Sequence, residues 1–307
     1  MSLSSYAPNV APRLVPRASP LGQLMRSFDR SLRALNRSPL TRDQYLMSVG
    51  QMVDYFATNG MPQEPAKVTR EHVEAFLADF AEAGHRPATV QTRYKCLRLF
   101  FSFLVEEGEI TKHPMEHMKP PAVPETPVPV LDKGQLAALL KTAEGRDFDS
   151  RRDSAILRLM VDTGMRRGEV AGLRTEDLDL DQDVAYVVGK GSRPRQCPFG
   201  AKAGQALERY LRERAKRPDA ALPWLWLGKK GRLSDSGIRQ MILRRGTEAG
   251  LGHIHPHQLR HSFAHAWLAD GGQEGDLMRL AGWRSRQMLQ RMRLRQPTNG
   301  HGTLIGG

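Results

Sequence analysis

Six of the seventeen residues from His113 to Pro129 are prolines, and this segment limits what the chain can fold into. Proline lacks the backbone N–H that a helix or a central strand requires, and its ring favours extended backbone. Residues 113–129 are therefore predicted to be a linker between two domains. The chain has 307 residues, which is enough for two domains of ordinary size.

Residues 21–112, before the linker, have the apolar spacing of helices. The first helix is indicated by apolar residues three or four positions apart: Leu24, Phe28, Leu32 and Leu35. Three more helices are predicted, one capped by Thr41, one beginning at Thr69 and one following Pro87. We expect a small four-helix domain, preceded by a flexible basic tail over residues 1–20.

Residues 130–292, after the linker, are predicted to form a second domain that is mainly helical with a small antiparallel sheet. Its helices are expected at about 132–143, 149–163, 167–173, 202–216, 235–249, 257–270 and 273–281. Its short strands are expected at 177–181, 184–188 and 193–198. Residues 293–307 lack helical spacing and contain one proline and four glycines, so they are predicted to be a disordered tail.

Two arginine motifs in the second domain point to phosphate chemistry. Residues 163–169 have the sequence TGMRRGE, and residues 257–261 have the sequence HQLRH. Arginine suits a phosphate because its planar fork meets two oxygens and stays charged. Arg166 lies at a predicted start of a helix, and His257 and Arg260 share one helix face. The alternative interpretation of Arg166 is a surface arginine that follows a glycine helix stop.

Two further groups of residues leave alternatives open. Lys190 lies in the turn between the second and third strands, where a lysine is usually solvated but can also act as a general acid. Several histidines near the second motif allow a zinc interpretation: His253, His255, His261 and His265. Catalytic zinc sites usually add an acid or thiolate ligand, and none is close in sequence, so no metal is expected.

The charge balance favours a polyanionic partner. Lys and Arg number 46 against 33 Asp and Glu, which gives a net charge of +13 and a pI of about 10.1. A merely solubilising surface is the alternative. No apolar run approaches the ~20 residues of a membrane span, and no apolar signal core is present at the start. With only two cysteines, Cys96 and Cys197, the chain is expected in the cytoplasm.

Together with the LAGW sequence at residues 280–283, the order of these elements resembles that of the tyrosine recombinases, the phage-integrase family. The resemblance covers residues 20–292 and implies a SAM-like core-binding domain and a catalytic domain that clamp opposite sides of double-stranded DNA. It also implies a homotetramer on DNA. No metal or cofactor is implied, because the family keeps the bond energy in a 3′-phosphotyrosyl link.

The resemblance also implies roles for individual residues. Arg166 and Arg260 would hold the scissile phosphate, and Lys190 would protonate the leaving 5′-oxygen. His257 would assist proton transfer. Each of these roles is carried over from the family's motifs onto the matching positions of this sequence.

The remaining family positions include one departure. Trp283 would buttress the phosphate site, with Glu169 and His261 as supporting residues. The family's nucleophilic tyrosine lies about nine residues beyond the position of Trp283, where this chain has Met292. A thioether cannot ionise to attack phosphorus, and the last tyrosine of the sequence is Tyr210.

Two functions are therefore open: a site-specific recombinase or integrase, and a DNA-binding protein or regulator derived from one without strand cleavage. A one-base deletion in the gene is a hypothesis that would explain both Met292 and the glycine-rich tail. Without the usual tail helix, we expect a weakened tetramer. A helix-turn-helix transcription factor is a third alternative, but it would need neither Lys190 nor the arginine pair.

Overall fold

The structure, a computed structural model, describes residues 19–124, 129–189 and 193–283. The chain divides into two compact units, Met1–Glu125 and Thr126–Gly307. In the described residues the first unit is helical, and the second is mainly helical with two small antiparallel sheets, which confirms the predicted fold class. None of the described helices combines the length and the apolarity that a membrane span requires.

The described residues of the first unit form four α-helices, α1 Pro20–Ala34, α2 Pro39–Thr58, α3 Arg70–Glu82 and α4 Pro87–Glu106, and one short 3-10 helix, Pro65–Lys67. Helix α2 begins earlier than the predicted cap at Thr41. The hydroxyl of Ser38 accepts the backbone N–H of Thr41 at 3.3 Å, and Pro39 occupies the first turn. Thr41 is thus the capped residue and not the cap, because proline is favoured at the first helical position and serine directly before it.

The first unit's core extends into the segment predicted to be a linker. Met115 and Met118 are buried in this core, and the hydroxyl of Tyr94 donates to the carbonyl oxygen of Met118 at 2.5 Å. The predicted linker began at residue 113. Proline ends a helix but does not prevent neighbouring apolar side chains from packing. The domain boundaries drawn from the sequence stay predictions.

The second unit has seven helices in its described residues: α5 Lys133–Lys141, α6 Phe148–Thr163, α7 Arg167–Gly172, α8 Ala201–Arg214, α9 Asp235–Glu248, α10 Pro256–Ala269 and α11 Glu274–Ala281. Strands β1 Leu178–Asp179, β2 Val184–Gly189 and β3 Arg193–Pro198 form an antiparallel sheet in that order. A second hairpin, β4 Leu227–Gly228 with β5 Gly231–Arg232, was not predicted. Strands of two residues are too short to show an alternating pattern.

The core of the second unit packs around α6 and includes two large aromatic side chains, Tyr210 and Trp226. The indole N–H of Trp226 donates to the carbonyl oxygen of Val170 at 2.9 Å. The hydroxyl of Tyr210 donates to the carbonyl oxygen of Leu225 and accepts the backbone N–H of Leu227. These bonds satisfy the polar atoms of the core and hold α7 and α8 against the segment around residue 226.

Candidate functional site

The turn between α6 and α7 places Arg166. Gly164 ends α6 in the left-handed conformation, with φ of 58°. A Cβ atom at this position would overlap the ring of Phe263 on α10, so both the conformation and the space require glycine. The next residue, Met165, is fully buried, which fixes the turn before Arg166, the N-cap residue of α7.

The carboxylate of Glu169 accepts hydrogen bonds from both Arg166 and Arg195. It accepts the backbone N–H of Arg166 at 2.7 Å and the Arg166 guanidinium at 2.9 Å. It also accepts both ends of the Arg195 fork, at 2.9 and 2.6 Å. Burial alone would raise the pKa of Glu169, but Arg195 and Arg166 outweigh it and lower this pKa to about 2. The carboxylate is therefore ionised and bridges the two arginines.

Arg195 is the site residue that the sequence reasoning missed. It lies on β3, opposite Val187 of β2, and it shares the buried face of the sheet with Cys197. Alternation along the strand was the available signal, because Arg195 stands two residues before the apolar Cys197 on the face that packs inward. An arginine on a buried sheet face requires a carboxylate partner, and Glu169 supplies it.

Helix α10 brings in His257 and Arg260. Arg260 is only 4% exposed, and its guanidinium donates to the carbonyl oxygens of Gly164 and Ala281. Burial, followed by the charge of Arg166, lowers the pKa of Arg260 to about 10. Partial burial, then Arg260, Arg167 and Arg166, lower the pKa of the His257 imidazole below 6.5. At neutral pH, His257 is therefore uncharged beside a cationic group.

The C-terminal end of α11 holds the three arginines together. Three successive carbonyl oxygens, those of Leu280, Ala281 and Gly282, accept from Arg195, Arg260 and Arg166 respectively. The N–H groups of Gly282 and Trp283 bond back to Arg279 and Met278, which ends the helix in a Schellman motif. The last carbonyls of a helix carry partial negative charge, so they attract guanidinium groups. We call Arg166, Arg195 and Arg260 the arginine cluster.

Trp283 packs beside the buried guanidinium of Arg260. Its side chain is buried with Leu277 and Ala281 of α11 and Ala264 of α10. The ring centroid lies 5.3 Å from the Cζ atom of Arg260, within the range of a cation–π contact. Trp283 thus helps to hold the buried guanidinium of Arg260 in place.

Arg167, which was not among the predicted site residues, and the remaining predicted residues lie outside the arginine cluster. Arg167 is turned to α9, where it forms a two-pronged ion pair with Asp235. His261 follows Arg260 on α10 and is half-buried. Lys190 and Met292 lie outside the described residues. Strands β2 and β3 remain paired up to Gly189 and Arg193, which flank the segment that contains Lys190.

The arrangement has a surplus of positive charge. The three guanidiniums of the arginine cluster face one carboxylate, that of Glu169, and the Arg166 side chain is 36% exposed to solvent. Each terminal nitrogen of Arg166 makes one hydrogen bond and carries a second N–H, so the guanidinium can still donate to an anion of phosphate size. Across residues 19–124, 129–189 and 193–283, no three His, Cys, Asp or Glu side chains lie together as a metal site would require.

Solved structures show the same fold. The chain superposes on the XerH site-specific recombinase bound to palindromic difH substrate with a TM-score of 0.70 and 19% identity, over 88% of this chain and 80% of that one. It superposes on a lambda integrase dimer bound to a COC′ core site with a TM-score of 0.69 and 16% identity, over 93% of this chain and 97% of that one.

Relatives found by sequence have a higher identity to this chain than these two structures have. The chain is 31% identical over 254 residues to tyrosine recombinase XerC of Bacillus pumilus, covering 80% of this chain and 83% of the relative. It is 32% identical over 242 residues to tyrosine recombinase XerD of Bifidobacterium longum, covering 75% and 78%. The phage integrase family model matches residues 129–295, and the model of the phage integrase N-terminal SAM-like domain matches residues 24–108. The chain therefore belongs to the phage integrase family, the tyrosine recombinases.

Proposed function

We propose that this protein binds double-stranded DNA and holds one backbone phosphate at the arginine cluster, as a site-specific recombinase does before it cuts. The observation that carries the proposal is the fixed surplus of positive charge, with the Arg166 side chain partly exposed to solvent. The XerC and XerD relatives are named tyrosine recombinases, and the XerH and lambda integrase structures are of proteins bound to DNA. Acting on DNA, the protein would work in the cytoplasm.

In the proposed site, Arg166 and Arg260 bind the phosphate oxygens and Glu169 orients the arginines. His257, uncharged at neutral pH, can accept a proton. Lys190 would donate a proton to the leaving oxygen, and it stays a prediction.

We further propose that this chain binds its site without cutting it, because Met292 stands where the family's tyrosine is expected. Tyr210, the last tyrosine of the sequence, does not replace it. Its side chain is fully buried and its hydroxyl already makes two hydrogen bonds. Burial also raises the pKa of Tyr210 to about 12, which disfavours the phenolate. The alternative, an active recombinase, requires a nucleophile elsewhere in the chain.

The oligomeric state of this chain on DNA is also a proposal. A lambda integrase tetramer has been solved on a Holliday junction, and we propose a tetramer on DNA for this chain as well. We expect it to be weaker than the tetramers of relatives, because the residues beyond 292 lack the spacing of a helix.

The binding proposal is tested with an Arg166→Gln variant and a 30-base-pair duplex, over a series of salt concentrations. Loss of one phosphate contact should weaken binding by about tenfold or more and lower the salt slope by ~0.9. Arg212→Gln, an exposed site on α8, is the control with the same change of charge. Equal effects of the two variants would mean that Arg166 does not contact phosphate.

The cleavage proposal is tested on a nicked duplex that carries a site selected by the protein from random DNA. We expect no protein–DNA band that survives denaturing electrophoresis, whereas a tyrosine recombinase relative on its own substrate gives one. A band from the unchanged chain would establish an active enzyme, and mapping of the linked residue would identify its nucleophile.

A further inference from the structure

A basic groove lies between α6 and α8, beside the turn that joins α5 to α6. It encloses about 570 Å³. Its charged lining has five cations and one acid: Arg146, Arg151, Arg158, Lys202, Arg209 and Glu144. We call it the α6–α8 groove. None of its lining residues belongs to the arginine cluster or contacts it through a hydrogen bond or ion pair among the described residues.

The cations of this groove lack ion-pair partners. Within the described residues, none of the five forms a salt bridge, whereas neighbouring arginines of the same helix and of α9 do. Arg152 of α6 pairs with Asp149 and Asp153, and Arg245 of α9 pairs with Asp153. The half-buried carboxylate of Asp162 attracts Arg158 and Lys202, but it forms no ion pair with either of them among the described residues. Repulsion among five unpaired cations is relieved when an anion binds between them.

The cations form two rows. Arg151 and Arg158 lie seven residues apart on α6, and Lys202 and Arg209 lie seven residues apart on α8. Seven residues span two turns, so each row places its charges ~10.5 Å apart along its helix. Two rows of charge on either side of a groove match a linear polyanion better than a single small ion.

The lining also favours phosphodiester over an acidic protein segment. Four of the five cations are arginines, whose forks match phosphate oxygens. The apolar lining consists of the small residues Ala143 and Ala206. A protein partner would need larger apolar side chains at the centre of its interface, and this groove supplies none.

We propose that the α6–α8 groove binds the sugar–phosphate backbone of a second DNA segment, separate from the segment at the arginine cluster. This proposal rests on the proposed DNA-binding function. It gives the catalytic unit two DNA contacts, one that holds the phosphate at Arg166 and one that retains another stretch of duplex.

The test measures how many copies of a 12-base-pair duplex, about 40 Å long, bind each chain at low salt. We expect two binding events, of which the second is weaker and strongly dependent on salt. The double variant Lys202→Gln, Arg209→Gln should weaken the second event by tenfold or more and lower its salt slope by ~1.8. The matched control is Lys230→Gln, Arg239→Gln, which also removes one lysine and one arginine, at exposed positions outside α6 and α8.

The two proposals can fail separately. The Arg166→Gln variant should weaken the first event and leave the second. A protein in which Arg166→Gln weakens neither event would contradict the proposed function. The groove proposal is overturned by a single binding event in the unchanged chain, or by equal effects of the two double variants. It is also overturned if a polyglutamate peptide, and not the duplex, is the ligand that distinguishes the two double variants.

Discussion

At the scale of single residues, Glu169 makes the folding of this protein sensitive to acid. Its pKa falls from 4.5 to about 2 in the folded chain, so its carboxylate favours the folded state whenever it is ionised. The contribution is complete above pH 4.5 and is lost as the pH falls towards 2. A shift of this size corresponds to about 3 kcal/mol. Denaturant unfolding at a series of pH values should show the decrease in this window.

Glu169→Gln is the variant that isolates this effect. We expect it to lower the free energy of unfolding at pH 7 by about 3 kcal/mol, because Arg195 is left buried without its countercharge. The decrease below pH 4.5 should also become shallower than in the unchanged chain. Glu208→Gln removes an exposed carboxylate on α8 and should cost less than ~1 kcal/mol. A Glu169→Gln protein as stable as the Glu208→Gln protein would refute the role assigned to Glu169.

The same cationic surroundings act on His257. Partial burial and the charges of Arg260, Arg167 and Arg166 place its pKa below 6.5. NMR titration of the imidazole should therefore give a midpoint below 6.5, and Arg167→Gln should raise it. Arg212→Gln, on α8, should leave it unchanged. A midpoint above 6.5 would contradict the effect that burial and the three arginines are expected to have on the pKa of His257.

Several of the predicted site residues lie close together in short motifs of the chain, and their roles stay predictions. Glu169 follows Arg166 by three residues, and Arg260 follows His257 by three, so one helical turn explains each pair. The bond between Arg195 and Glu169 joins residues far apart in sequence. That partnership depends on how β3 packs, and no local pattern contains this information.

At the scale of elements, the turn at the end of α6 is constrained both by its left-handed backbone conformation and by the lack of space for a side chain at Gly164. Gly164→Ala must adopt the left-handed conformation and also displace the ring of Phe263. Gly250, after α9, has a similar φ of 72° but nothing within 4 Å of its added Cβ. We expect Gly250→Ala to cost ~1 kcal/mol and Gly164→Ala to cost ~1–3 kcal/mol more.

Thermal or denaturant unfolding of the two glycine variants measures that difference directly. Since Gly164 also supplies a carbonyl oxygen to Arg260, the Gly164→Ala protein should bind duplex DNA more weakly than the Gly250→Ala protein. Equal stabilities would show that the Phe263 ring moves aside at little cost, and that the turn is less constrained than its geometry indicates.

Element boundaries show why the sequence predicted most helices but not all details. The Ser38–Pro39 pair carried the start signal of α2, yet Thr41 offered a similar one three residues later. Inside the second unit, the carboxylate of Asp153 on α6 is fully buried and accepts from Arg152, Arg244 and Arg245. A charged residue at a core position contradicts the apolar pattern, and it is explained by the arginine side chains that α9 places beside it.

At the scale of the whole molecule, the two units have separate hydrophobic cores. The first core is rich in aromatic side chains, with Phe28 packed 5.2 Å from Phe100 and 5.3 Å from Phe103 between ring centroids. The second core is built around α6 and contains none of these residues. A unit with its own closed core and about a hundred residues is of the size that folds alone.

We therefore expect a fragment of residues 1–125 to fold without the rest of the chain. Its circular dichroism should be helical, and its thermal unfolding should be a single cooperative transition. Phe100→Ala in the same fragment should lower the free energy of unfolding by ~3–5 kcal/mol, because it removes a fully buried ring from this core. Val105→Ala, at a partly exposed position on the same helix, should change it by less than ~1 kcal/mol. A fragment that is helical but unfolds without cooperativity, or that responds equally to both substitutions, would show that the first core depends on the second unit for its packing.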